Sequence, residues 1–129
     1  MSFVRAAIIA TTIAFSTVSA QAAEVQDYTA AGFAAAQASG KPILVDVAAW
    51  WCPVCRSQNG TIKQIVAAPH YAKLVIFKIN YDKQKAEWRK LGVTKQGTLI
   101  AYRGKQETSR LAFQTDKTQI AALIDSTIR

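Results

Sequence analysis

Hydrophobic and polar positions alternate along the chain in a way that predicts eight elements after a short lead-in at residues 24–27. Residues 28–39 are alanine-rich with Phe33 on one face, and Gly40 follows, the signature of a helix closed by a glycine. Residues 43–48 are almost continuously apolar, broken only by Asp46. Continuous rather than alternating apolar character predicts a central strand covered on both faces. A helix is expected from Cys52 to about Ala68, with Ile62, Ile65 and Val66 on its buried side, Pro53 in its first turn and Pro69 beyond its end.

Downstream, residues 74–80 (Leu-Val-Ile-Phe-Lys-Ile-Asn) predict a second strand, and residues 84–91 a helix around Trp88 and Leu91 that stops at Gly92. Residues 98–102 and 108–113 predict a hairpin turning through Arg103-Gly104-Lys105, with Phe113 and Trp88 assigned to the core. Residues 116–128 carry Ile120, Leu123, Ile124 and Ile128 at helical spacing. Strands alternating with helices require right-handed crossovers and a parallel portion of sheet, to which the hairpin adds an antiparallel edge. The expected architecture is a three-layer α/β/α sandwich with a mixed sheet of about four strands.

The first residues follow a different pattern. Arg5 precedes an uncharged run over 6–23 whose middle is apolar or small, and Ala20-Gln21-Ala22 offers small residues at the positions a signal peptidase reads. A cleaved signal peptide over 1–22 and a domain over 23–129 are expected. The alternative is a retained membrane anchor, although the run is short for a bilayer and diluted by Thr11, Thr12, Ser16, Thr17 and Ser19. Export is expected to place the mature chain in the periplasm. The full sequence's 16 Lys and Arg against 8 Asp and Glu give +8, and losing Arg5 leaves +7 for the mature chain. That excess either attracts acidic partners or an anionic surface, or is simply a solvated basic face. Nucleic acid is not expected as a partner of an exported protein.

Only two cysteines are present, Cys52 and Cys55, one helical turn apart. At that spacing they close a disulfide with little backbone movement. The loop so closed is very small and would restrict the unfolded chain little, so chemistry explains the pair better than stability. Thiol–disulfide exchange proceeds through a thiolate, which unpaired N–H groups and the positive end of the helix dipole favour at Cys52. Cys52 is expected to be the exposed, attacking thiol and Cys55 the more buried, resolving one. Asp46, a lone carboxylate in an apolar strand, must hold either a partner or a proton.

With Trp51-Cys52-Pro53-Val54-Cys55 directly after Ile-Leu-Val-Asp, Lys78 within Phe-Lys-Ile-Asn-Tyr-Asp, and Gly92-Val93 leading to Leu99-Ile100, the chain resembles the thioredoxin superfamily from Tyr28 to Ile128. The resemblance implies a thiol–disulfide oxidoreductase that uses no cofactor and no metal, with Cys52 and Cys55 catalytic. It makes Asp46 the buried acid serving Cys55, with Lys78 beside it. Substrate contacts are implied at Trp50, Trp51, Pro53, Val54, Gln96 and Gly97. It further implies a monomer whose partners are protein thiols and disulfides, on the reductant side, with a membrane electron-transfer protein as redox donor.

Three departures stand out. Pro53-Val54 replaces thioredoxin's Gly-Pro between the cysteines, and Ala48 stands where thioredoxin has a tryptophan, opening the site's surroundings. Gly97 stands where the family has a cis-proline. A non-proline cis bond costs about 3 kcal/mol, so a trans Gln96–Gly97 bond and a looser loop are expected. Two other functions use the same features. The thiolates would suit Cu(I) in a metal-delivery module, though zinc would want four ligands. A thioredoxin-fold binding module with a silent cysteine pair is the other.

Overall fold

The computed structural model describes residues 12–17 and 22–129. Most of the expected signal peptide therefore lies outside the described residues. Among the described residues no helix is long and apolar enough to cross a membrane.

Among the described residues, five strands and four helices follow one another as β1 (Glu24–Asp27), α1 (Ala30–Ala38), β2 (Pro42–Ala48), α2 (Pro53–Val66), β3 (Val75–Asn80), α3 (Lys85–Lys90), β4 (Thr98–Arg103), β5 (Gln106–Ala112) and α4 (Lys117–Asp125). A short 3-10 turn, Pro69–Tyr71, links α2 to β3. The sheet order is β1-β3-β2-β4-β5. β1, β3 and β2 run parallel, while β4 and β5 are antiparallel to their neighbours.

The expected count of about four strands rises to five because the lead-in at Glu24–Asp27 pairs with β3. It is a short polar edge strand with Val25 exposed, and charged, short edges are how sheets avoid pairing with other chains. Its polarity is also why it carries no periodic apolar signal.

Strand parity sorts the core into two layers. Ile43, Val45 and Val47 join Val75, Phe77 and Ile79 on one face, under Phe33 of α1 and Trp88 of α3. Leu44 and Ile76 join Leu99 and Ala101 on the other, under Ile62 of α2 and Ile120, Leu123 and Ile124 of α4. Successive side chains of a strand point to opposite faces, so Asp46 and Lys78 share the second face. They are also direct neighbours in the parallel β2–β3 register. An acid and a base that lie far apart in sequence are thereby placed side by side beneath α2.

Phe113 is not core. It lies past the end of β5, 41 % exposed, with φ of 59°. An apolar residue closing a strand reads as buried in the sequence, but the chain turns in the left-handed region there and swings the ring outward.

Candidate active site

The site forms where β2 hands over to α2. Ala49 and Trp50 carry the chain out of the sheet, and Cys52 takes the N-cap of α2 with φ of −92° and ψ of 110°. Pro53 opens the helix, where no intrahelical N–H is needed. The sulfur of Cys52 accepts a hydrogen bond from the Cys55 backbone N–H at 3.1 Å. In this cap position the first N–H groups of the helix face a sulfur atom instead of a hydroxyl, which stabilises negative charge on it. Cys52 and Cys55 are joined in a disulfide with Cα atoms 5.3 Å apart.

Cys52 is not exposed as expected. It is 1 % accessible and Cys55 5 %. The closed pair is folded inward against Ala49, with Ala48, Val54 and Tyr81 packed on it. The exposed groups beside it are the tryptophans, Trp50 at 83 % and Trp51 at 43 %. Trp51 is fixed, its indole N–H donating to the Asp82 carboxylate at 3.0 Å and its ring edge-on to Tyr81. Tyr81 in turn stacks on Trp88. The ring of Trp50 is largely free, and its carbonyl accepts from Arg56 at 3.3 Å.

Behind the cysteines, buried Asp46 receives the ammonium of Lys78 at 2.7 Å. Lys78 also donates to the Asn59 side-chain oxygen of α2 at 3.2 Å. The partner that a buried carboxylate requires is thus Lys78, and one hollow is lined by Cys55, Asn59 and Lys78 together. Asp46 and Lys78 are thus paired with each other behind the cysteines.

Gly97 precedes β4 with φ of 75°, and no peptide bond among the described residues is cis. The Gln96–Gly97 bond is trans, as expected. The looseness expected of this loop is not seen. Gly97 donates to the Val47 carbonyl at 2.7 Å, and its own carbonyl accepts from the Phe113 N–H at 2.8 Å and from the Gln58 amide at 2.9 Å. Gln58 is fully buried and also donates to the Gln114 carbonyl at 2.8 Å. A Cβ built on Gly97 would lie 3.1 Å from the Phe113 ring and 3.5 Å from Val54. The loop thus lies beside Val54, one of the two residues between the cysteines. Gln96 and Val54 are half-buried, Pro53 exposed.

Sequence reasoning missed Gln58, Asn59, Asp82 and the role of Phe113. Polar residues on α2 look like a solvated face, and only their register against the sheet and the Gly97 loop reveals them. His70, the one histidine of the sequence, is exposed in the 3-10 turn. Among the described residues no group of three or more histidine, cysteine or acidic side chains gathers as a metal site would.

Comparison with known proteins agrees with this arrangement. The family model described as Thioredoxin matches residues 24–126. The thioredoxin of Alicyclobacillus acidocaldarius subsp. acidocaldarius is 31 % identical over 94 residues, spanning 73 % of this chain and 89 % of its own. Protein disulfide-isomerase erp38 of Neurospora crassa is 35 % identical over 71 residues, 54 % of this chain but only 19 % of its own. Among solved structures, Trxlp from Edwardsiella tarda EIB202 is 42 % identical with a TM-score of 0.75, covering 78 % of this chain and 98 % of that one.

Proposed function

Since this chain belongs to the thioredoxin family and is a thiol–disulfide oxidoreductase working through Cys52 and Cys55, we propose that it acts outside the cytoplasm, on the reductant side of exchange. The observation that carries the chemistry is the Cys52 sulfur at the helix N-cap, accepting the Cys55 N–H. A thiolate formed there is favoured both as attacking group and as leaving group. Cys52 attacks the substrate disulfide, forming a mixed disulfide and releasing one substrate thiol. Cys55 then attacks Cys52, closing the protein disulfide and releasing the second. Asp46, held by Lys78, takes the proton that Cys55 must lose to attack.

Protein thiols and disulfides are the substrates in this reading. Trp50, Trp51, Pro53, Val54, Gln96 and Gly97 form the contact surface, the chain acts as a monomer, and a membrane electron-transfer protein returns it to the dithiol. The periplasmic location rests on the signal-peptide pattern over 1–22. The reductant assignment is supported by the buried acid beneath the cysteines.

Equilibrating the purified protein in thiol–disulfide buffers tests the direction. A reduction potential near −270 mV or below, roughly thioredoxin's, is expected. A value near about −120 mV would make the protein an oxidant instead. Amino-terminal sequencing of protein recovered from the periplasmic fraction is expected to begin after Ala22 or Ala20. An intact amino terminus in the membrane fraction would replace export by anchoring.

A further inference from the structure

Among the described residues Phe113 alone of the non-glycines has positive φ, and part of its ring stays in water. A bulky side chain in the left-handed region is strained, and the partial burial of this ring offsets that strain poorly. Strained backbone persists only where its surroundings hold it, and such outliers gather at binding and catalytic sites. Here the Phe113 N–H donates to the Gly97 carbonyl at 2.8 Å. The ring lies 3.1 Å from the point that a Gly97 Cβ would occupy, and Val54 lies 3.5 Å from the same point. The ring thus stands where residue 97 has no side chain of its own, beside the turn that carries the cysteines.

The ring also carries a cation. The ammonium of Lys95 lies over it, 4.0 Å from the centroid, where the negative face of the π system attracts positive charge. That contact keeps a long, exposed side chain over the loop, two residues before Gly97. Among the described residues Lys95 forms no ion pair with a carboxylate. Arg56, exposed directly after Cys55, forms none either and bonds only the Trp50 carbonyl. Asp82, beside Trp51, already accepts the indole N–H at 3.0 Å. The face that meets substrate therefore presents two cations that lack a carboxylate, and one of them is held in place by a strained aromatic residue.

We propose that Lys95, positioned by Phe113, determines specificity in the exchange by selecting protein disulfides with an aspartate or glutamate close in sequence to the cysteine that Cys52 attacks. The proposal rests on the oxidoreductase reading and adds a substrate class to it. Lys95 pairs with the substrate carboxylate, and Phe113 is the positioning residue that keeps the ammonium over the loop. An extended peptide advances about 3.3 Å per residue, so a segment lying along residues 95–97 brings an acid two or three positions from its cysteine within reach of Lys95. The chemical step is unchanged: Cys52 attacks the substrate sulfur and one substrate thiolate departs. Both charges are exposed, so solvent and salt screen the pair, and the selectivity it gives is modest.

The test uses peptides with one intramolecular disulfide, identical except for Glu, Gln or Lys two residues from each cysteine. The reduced full-length protein is mixed with each at low salt, and its oxidation is followed by tryptophan fluorescence. The glutamate peptide is expected to react about fivefold faster than the lysine peptide, with the difference shrinking as salt is added. Lys95→Gln should bring the two within about twofold of each other, and Lys95→Glu should reverse their order. Phe113→Leu keeps apolar bulk without the π face and should also reduce the preference to about twofold, while Phe113→Tyr restores it. Lys105→Gln removes the same charge from the turn at the opposite end of β4 and should keep the preference. Equal rates for the glutamate and lysine peptides, equal losses in Lys95→Gln and Lys105→Gln, or an unchanged order in Lys95→Glu would overturn the proposal. A full preference in Phe113→Leu would overturn the positioning role. Dithiothreitol separates the two levels. If it reduces the peptides and the reduced protein reduces none of them, the reductant reading fails and the specificity with it; if all three peptides react alike, only the specificity fails.

Discussion

Substituting Gly97 is the sharpest probe of how this chain rebuilt the loop opposite its cysteines. Its φ of 75° lies in the left-handed region, where an L side chain costs about 1–2 kcal/mol. In Gly97→Ala the new Cβ meets the Phe113 ring at 3.1 Å, a tight contact, but that ring is 41 % exposed and can swing away. The contacts at 3.5 Å to Val54 and 3.7 Å to the Gln58 oxygen are ordinary. Gly97→Ala should therefore lose only the backbone term, about 1–2 kcal/mol. Gly97→Pro faces a different problem. Proline holds φ near −65° and has no N–H, while this position needs positive φ and donates to the Val47 carbonyl at 2.7 Å. Losing that bond and forcing the backbone to a new region should cost at least about 4 kcal/mol, a large share of a typical domain's stability. Urea unfolding of wild type and both variants, fitted with a common slope, should give stabilities falling from Gly to Ala to Pro. A proline variant within about 1 kcal/mol of wild type would refute the reasoning, because the loop would then have a second backbone path that satisfies Val47 without Gly97.

Four further outcomes follow from the same geometry. Gln58→Met fills a similar volume but leaves the Gly97 and Gln114 carbonyls without its amide; about 1–2 kcal/mol should be lost, with faster hydrogen exchange at the Phe113 amide than at β2, and unchanged exchange there would show that Gln58 does not hold the loop. Phe113 occupies positive φ, so Phe113→Gly should be more stable than Phe113→Ala by about 1 kcal/mol in thermal or urea unfolding, and the reverse order would mean that no backbone strain resides there. Lys78→Met strands the buried Asp46 carboxylate and should cost roughly 2–4 kcal/mol, partly recovered by adding Asp46→Asn; a double-mutant cycle with no coupling would sever the pair. Burial, reinforced by the hydrogen bond that Tyr71 donates to Asp125, raises the Tyr71 hydroxyl from 10.0 to about 12. The native state thus keeps this proton after the unfolded chain has lost it. The contribution is complete below pH 10 and is lost as pH rises towards about 12, at most about 2–3 kcal/mol, so Tyr71→Phe should fall less steeply than wild type over that window in denaturant titrations.

What the chain discloses in its sequence depends on how far apart the interacting residues lie. The β2-to-α2 junction was legible because each part is local: an apolar run, a proline in the first helical turn, two cysteines one turn apart. Asp46 stood out for the same reason, being the one charge in that run. Its partner was half-legible. Lys78 sits in a recognisable strand, but only the parallel register of β2 against β3, and hence the choice of neighbouring strand, puts the two side chains on one face. Gln58 was not legible at all, since its bonds span 39 and 56 positions and a glutamine on a helix carries no sign that it will be buried. Phe113 misled because hydrophobicity at a strand end says nothing about the sign of φ one residue later. Exposure of Cys52 misled because helix position determines which sulfur the N–H groups face, whereas burial depends on Ala49, Val54 and Tyr81 arriving from three segments. The same division explains the loop. Reading Gly97 as a lost proline predicts slack, because glycine is the most permissive residue. Seen with Val47, Gln58 and Phe113 around it, the glycine is the residue whose freedom lets three hydrogen bonds close at once, so the rigidity that a proline ring would have provided locally is supplied here by partners from β2, α2 and the end of β5.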